Sequence, residues 1–406
     1  MVVADARNDT SPGREVWVAG LGLVSSLGEG VGAHWQQLAC GAASAVVDTK
    51  RFAPYSVHPL AAIDFARQIP NKADVRQMGP WQSLGTYAAG LALTDAGLVD
   101  RDARAEVHLS VAAGNGERDA AADGSVLAAL SATAGIGQSG PVLNEALLRA
   151  LRPTLYLVEL SNLLAGNISI VHGVTASSRT FKGEEMAGVA AVEDAVKRIA
   201  AGTGELFLVG GACNAERADL LLNLELCNGL AQRGNRSVWE RADEGGGMIL
   251  GSVGAFLVLE SACHARARGR RPYARIVAAA SERAGRPHDL EHLRPRRGPH
   301  VVLSGASGAE PATHTERTWL DGLGSSDTRP VVRGFGTVFG HALDAQFPLG
   351  LALSAMALSK QQLFSPFDSS GFELPHDGPL DGILVTSFGH WRGAGMAFLE
   401  AVPSVG

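Results

Sequence analysis

The chain has little of what a metal, redox, membrane or nucleic-acid protein needs. There are four cysteines in 406 residues. Cys40, Cys213, Cys227 and Cys263 lie too far apart for the paired spacing of a zinc or disulfide-exchange site. They read as reduced structural thiols, Cys213 included although it follows Gly210-Gly211. No apolar run approaches the roughly 18 residues of a spanning helix, and residues 1–13 form a polar tail without a signal-peptide core; the expectation is a cytoplasmic protein that does not enter a membrane. Positive charge is scarce too. A net charge of -6 gives no broad field for nucleic acid or an anionic membrane. Gly20-Leu-Gly22 stands at the end of an apolar run, but Ser25 takes the place of the third glycine of a dinucleotide fingerprint, and no acidic residue follows at the required distance. His288, His292 and His300 have no fixed ligand spacing. They sit in residues 286–300 among three prolines and four arginines, which read as an exposed loop.

What is present is a long, glycine-rich chain with enough apolar residues for a large core: 46% hydrophobic, 19% charged, 50 glycines. Short apolar runs alternate with amphipathic ones, which predicts an α/β body. The pattern occurs twice. Glu185 to Ala201 reads as a helix, Leu206 to Val209 as a strand and Gly210-Gly211 as a turn; Leu343 to Lys360, Gly382 to Thr386 and Phe388-Gly389 repeat that order. Each set is followed by a further apolar strand, Ala255 to Leu259 and Met396 to Leu399. Charge and arginine density rise between Glu260 and Pro272, so the halves are placed at residues 1–262 and 263–406.

Several stretches, in this order, resemble the β-ketoacyl-ACP synthase family. They are Val16-Trp-Val-Ala-Gly-Leu-Gly-Leu-Val-Ser-Ser-Leu-Gly28; Asn167 to Thr175 with the run Ser178-Arg-Thr-Phe-Lys-Gly-Glu-Glu185-Met-Ala-Gly188; Glu205 to Gly211; Phe339-Gly-His341-Ala-Leu-Asp-Ala345; and Val385-Thr-Ser-Phe-Gly389. The resemblance implies the thiolase fold, two interleaved βαβαβ halves in a five-layered αβαβα sandwich. It also implies a site built from a cysteine at a helix N-terminus, two histidines and a lysine. A thiolate suits that acyl transfer because it is nucleophilic at neutral pH and leaves readily from a thioester.

Carried over by position, the cysteine falls on Glu185, the first histidine on Gly305 in Leu303-Ser-Gly-Ala-Ser-Gly308, and the lysine on Gly336. Only His341 is kept. The family's gating Phe-Gly-Phe-Gly-Gly becomes Phe388-Gly389-His390-Trp391-Arg392, with bulk in place of two glycines. A carboxylate forms no useful equivalent of an acyl thioester, so the resemblance implies a homologue without condensing activity. At a buried helix N-terminus Glu185 is expected to accept backbone N–H bonds, and His341 to gain a proton and complete a buried ion pair. That pair reads either as structural filler or as a residual acid/base couple.

In its deciding residues the chain resembles the chain-length factors that pair with active ketosynthases. In local wording it looks similar to ketosynthase-like proteins of α-proteobacterial clusters for very-long-chain fatty acids of lipid A. Three functions are implied: a non-condensing subunit of a heterodimeric ketosynthase; an acyl-ACP or malonyl-ACP decarboxylase or hydrolase using Glu185 and His341; or a homodimeric carrier-protein scaffold without chemistry. Each has an acyl carrier protein as partner, its acyl-phosphopantetheine as ligand, and no other cofactor and no metal. Arg266-Ala-Arg-Gly-Arg-Arg271 and Arg294-Pro-Arg-Arg297 are the basic runs that could dock such an acidic carrier. Ala112 to Asp119 and a helix near Leu127 to Ile136 are expected to wall the acyl tunnel.

Overall fold

A computed structural model of the chain describes residues 14–39, 45–133, 139–151, 153–232, 236–283, 301–324 and 329–402. Cys40, the loop at 286–300 with its three histidines and Arg294 to Arg297, and the end of the helix expected to reach Ile136 lie outside the described residues.

Ten strands make the path of one sheet: β1 (Val16–Ser25), β2 (His108–Ala112), β3 (Ser178–Phe181), β4 (Leu206–Cys213), β5 (Val253–Ser261), β6 (Ala274–Glu282), β7 (Val301–Ser304), β8 (Val331–Gly334), β9 (Gly382–Phe388) and β10 (Ala394–Glu400). Their order is β8-β7-β9-β10-β6-β1-β5-β4-β2-β3. Read inward from either end, each half runs third, second, fourth, fifth, first. The repeat seen in the sequence is therefore a repeat of topology. In both halves the first three strands of that reading pair in parallel and the last two antiparallel. The halves meet where Val16 to Val18 of β1 pair with Ala274 to Ile276 of β6.

Side-chain alternation then dictates the layers. Along β5, Val253, Ala255, Leu257 and Leu259 join a central core, while Phe256 and Val258 join an outer one. Along β10, Ala397 and Leu399 face the same central core, and Ala394 and Met396 a second outer one. Each half-sheet is thus buried on both faces, which is why its strands read as continuous apolar runs rather than alternating ones. The two outer cores are closed on one side by α1 (Pro80–Asp95) and α2 (Leu163–His172), and on the other by α4 (Ala312–Asp321). The central core holds α3 (Glu185–Ala200) and α5 (Gln346–Lys360). This is the five-layered αβαβα arrangement. Gln346 to Leu358 of α5 are buried without a break, as befits a helix apolar all round.

Three expected elements differ in detail. Gly210 and Gly211, expected as a turn, lie inside β4 and pair with Phe256 and Ala255 of β5. The helix expected from Leu343 starts as a 3-10 turn over Leu343–Ala345, and the α-helix begins only at Gln346; Leu343 at φ 42° breaks the helical path. The strand expected to end at Thr386 continues to Phe388 because its pairing with β10 runs on to Ala394. Among the described residues no helix is long and apolar enough to cross a membrane.

β1 can lie against α1 only because it carries glycine there. A Cβ at Gly22 would fall 2.0 Å from the Ala88 carbonyl oxygen and 2.5 Å from the Ala92 nitrogen. Gly22→Ala is therefore expected to destabilise the protein by about 1–3 kcal/mol or more in urea unfolding. Gly124 lies in the helix Ala120–Ser131 with open space around it, and Gly124→Ala should be neutral or stabilising by up to about 1 kcal/mol.

Candidate functional site

The site lies where the first turn of α3 meets the segment before α5. β3 enters α3 through Lys182-Gly183-Glu184, with Gly183 at φ 136° and Glu184 at φ 50°, ψ -132°. A non-glycine residue in that region costs on the order of 1–3 kcal/mol and persists only where its surroundings hold it. The turn delivers Glu185 as the first residue of α3, 2% exposed.

His341 reaches it from the other half of the molecule. Its backbone is pinned on both sides: its N–H donates to the Ile249 carbonyl at 2.8 Å, and its carbonyl accepts from the Gly251 N–H at 3.0 Å. The imidazole Nε2 then donates to Glu185 Oε1 at 2.8 Å, with both side chains buried. The His390 N–H lies 3.4 Å from the same oxygen. Burial pushes the Glu185 carboxyl up, but the hydrogen bond and charge of His341, with the backbone N–H groups of Glu185 and His390, more than offset it. The carboxyl is held below its ordinary value.

Gly305 and Gly336 lie near the same point, and the space around them is filled. Gln346, fully buried, accepts from the Ala342 N–H through Oε1 at 2.8 Å and donates from Nε2 to the Gly305 carbonyl at 3.2 Å. A Cβ at Gly305 would meet the Thr386 carbonyl at 2.8 Å, and one at Gly336 the Ala306 carbonyl at 2.8 Å. Neither position has room for a histidine or a lysine without movement of the backbone.

The loop after β9 closes on itself through the Gly389 N–H and the Gly393 carbonyl at 3.0 Å. Phe388 is buried and packs near Trp319. His390 is half-buried, stands edge-on to Trp391 with centroids 4.7 Å apart, and is held below its usual range by burial, opposed by the Glu185 charge. Trp391 is 46% exposed, and Arg392 stands 3.9 Å from Glu184. Trp391 separates two hollows. The outer, about 250 Å³, is lined by Phe388 to Gly393 and the start of α4. The inner, about 460 Å³, is bounded by Gly114 to Gly116, Lys182 to Glu184, Ala212 to Asn214, Leu343 and Asp344. Neither Glu185 nor His341 lines the inner cavity.

Of the tunnel wall expected from sequence, Gly114, Asn115, Gly116 and Arg118 do line this cavity. The helix after it, Ala120–Ser131, contributes no lining residue, and its Leu127 is 65% exposed. Two residues escaped the sequence reading. Asp344 and Gln346 follow His341 closely in an otherwise apolar run, and that break in apolar character was the available signal. Asp344, 5% exposed, is pushed up to about 8 by burial and then by the nearby Glu185 charge. Cys213, in the same cavity, is pushed up to about 12 by burial and by Asp344, so it is a thiol rather than a nucleophilic thiolate.

Comparison with known proteins bears on this geometry. The family profile described as Beta-ketoacyl synthase, N-terminal domain, matches residues 13–265. The chain is similar to the 3-oxoacyl-[acyl-carrier-protein] synthase 2 of Vibrio cholerae serotype O1, at 26% identity over 274 residues, which is 65% of this chain and 62% of that protein. It is 28% identical over 279 residues to the putative mitochondrial 3-oxoacyl-[acyl-carrier-protein] synthase of Schizosaccharomyces pombe, covering 65% of this chain and 62% of that one. The match thus spans less than two thirds of either relative. Among solved structures, the ishigamide ketosynthase/chain length factor superposes with a TM-score of 0.77 at 18% identity over 96% of this chain and 100% of that chain. A type II PKS acyl-carrier protein in complex with its ketosynthase gives 0.68 at 17% identity, over 96% and 100%. At such identities the two structures establish the fold alone.

Because Asp344 titrates near 8 when folded and at 3.8 ordinarily, the folded state keeps a proton between those values that the unfolded chain has released. Stability should therefore fall as pH rises from about 4 to about 8, by at most about 1.4 kcal/mol per pH unit from this group. Unfolding of Asp344→Asn measured across that window is expected to show a flatter decline than the wild type; an unchanged slope would refute the assignment.

Proposed function

The chain belongs to the β-ketoacyl synthase family, and from that premise we propose that it is a non-condensing subunit of chain-length-factor type. In this reading it pairs with an active ketosynthase in type II fatty acid or polyketide elongation on acyl carrier protein. The observation that carries the proposal is the buried Glu185–His341 pair at the nucleophile position. Condensation requires a group that attacks a thioester, holds the acyl chain and leaves again. A carboxylate below its ordinary pKa, hydrogen-bonded to the one histidine retained and set back from the inner cavity, is poorly suited to each task. The packed surroundings of Gly305 and Gly336 leave no place for the other donors.

The surface supports a partner. Among the described residues β3 ends the sheet with its outer edge unpaired, and exposed Leu127, Leu143, Leu148, Tyr156 and Ile170 come from the stretch of chain before it. A second ketosynthase-like chain pairing there would bring its own acyl chain toward the wall formed by Gly114 to Arg118. Local wording similar to the very-long-chain fatty acid clusters makes that pathway the finer form of the proposal, with a cytoplasmic carrier protein supplying the acyl-phosphopantetheine. The runner-up, a decarboxylase or hydrolase using Glu185 and His341, has their contact in its favour but needs substrate to reach a pair that is sealed off. A homodimeric carrier-binding scaffold is the third reading.

Affinity purification from the native host, followed by a condensation assay on the eluate, tests the proposal. Recovery of a cysteine-bearing ketosynthase that condenses only as the pair is the expected result. Recovery of this chain as a homodimer that turns over malonyl-ACP, with the turnover lost in Glu185→Gln, would replace the proposal with the runner-up.

A further inference from the structure

Asp344 has no part in the reading above. It stands on the 3-10 turn before α5 and is wedged among three glycines from three elements: a Cβ at Gly114 would fall 2.6 Å from its Oδ2, and Cβ atoms at Gly188 and Gly211 would fall 2.6 and 3.3 Å from its backbone carbonyl. Asp344 lines the inner cavity of about 460 Å³, a volume in the range of small-molecule sites. Among the described residues nothing hydrogen-bonds Asp344 Oδ1, although that atom is buried. Buried polar atoms in folded proteins are nearly always partnered, and an orphan calls for an explanation.

Several of the other polar groups around the cavity are already engaged with protein. Arg217 donates to Asp219 Oδ1 at 3.1 Å and to the Gly116 carbonyl at 2.7 Å, Asn214 donates to Glu117 at 2.9 Å, and Arg118 donates to Asp123 at 2.8 Å. Asp344 lines the cavity with a buried carboxyl oxygen that no protein group satisfies among the described residues. Burial keeps its proton on at neutral pH, so the group it presents is an O–H donor. A saturated chain in the cavity would leave that donor unsatisfied, whereas a chain oxygen would accept from it.

Resting on the reading that this chain holds acyl groups of a carrier protein, we propose that Asp344 is a specificity-determining residue: its carboxyl O–H donates to an oxygen on the acyl chain, and the cavity selects oxygenated chains over saturated chains of equal length. Sites built to hydrogen-bond a substrate reject the analogue that lacks the acceptor because their own polar group is left unpaired.

The test is calorimetric titration of the full chain, with any subunit that co-purifies, against two acyl-pantetheine amides of equal length, one saturated and one carrying a keto group along the chain. Wild type is expected to bind the keto probe about ten-fold more tightly. Asp344→Asn, whose amide still donates, should keep part of that preference, and Asp344→Ala should abolish it without weakening the saturated probe. Should Asp344→Ala fail to fold, infrared difference spectra of the wild-type complex decide, since a hydrogen-bonded keto group stretches at lower frequency than a free one. Equal binding of both probes, or a preference undiminished in Asp344→Ala, overturns the role of Asp344 alone. Failure of both probes to bind overturns the acyl-holding reading and this inference with it.

Discussion

A buried carboxylate must have a partner, and in this protein the partner comes from the other half of the chain. Glu185 opens the central helix of the first half, and His341 stands just before the central helix of the second. Removing either partner of such a pair typically costs about 3–5 kcal/mol, because the remaining group is left uncompensated. The contact therefore fixes more than a site. It ties α3 to the segment leading into α5 at the centre of the five layers, and the backbone around it is arranged to serve it: a strained turn at Glu184 on one side and a histidine pinned to Ile249 and Gly251 on the other.

The remaining features of the site follow from close packing. Interiors are packed to crystal-like density, so the space beside Gly305 and Gly336 has to be filled. Gln346 occupies that space with both ends of its amide bonded, to Ala342 and Gly305. The filling is polar and bonded. Asp344 differs: it is just as buried, but its Oδ1, like His341 Nδ1, has no partner among the described residues, and Asp344 lines a cavity. The geometry thus divides the site in two. One part is sealed around the Glu185–His341 pair; the other stays open beneath Trp391.

Much of the fold was legible because its signals are local. Each half-sheet is buried on both faces, so its strands appear as apolar runs, and the duplicated order of helix, strand and glycine turn gave the two-half architecture directly. Glu185, Gly305 and Gly336 were singled out in the sequence only by their position in the resemblance. The expected tunnel wall was only half legible: Gly114, Asn115, Gly116 and Arg118 line the cavity, but the helix that follows contributes no lining residue, and its composition does not distinguish a cavity face from a face left for a partner.

The sequence by itself determined a duplicated α/β body, because strand and helix periodicity are properties of the chain read in order, and its resemblance to a known family supplied the expectation of five layers and of Glu185 at the nucleophile position. Only the tertiary structure decided that Glu185 and His341 touch, that Gln346 closes the space beside Gly305, and that Asp344 is buried against a cavity while Glu185 is not. The first of these contacts joins opposite halves of the fold, and whether a polar side chain ends in a bond, in solvent or against a hollow depends on packing that sequence order does not encode.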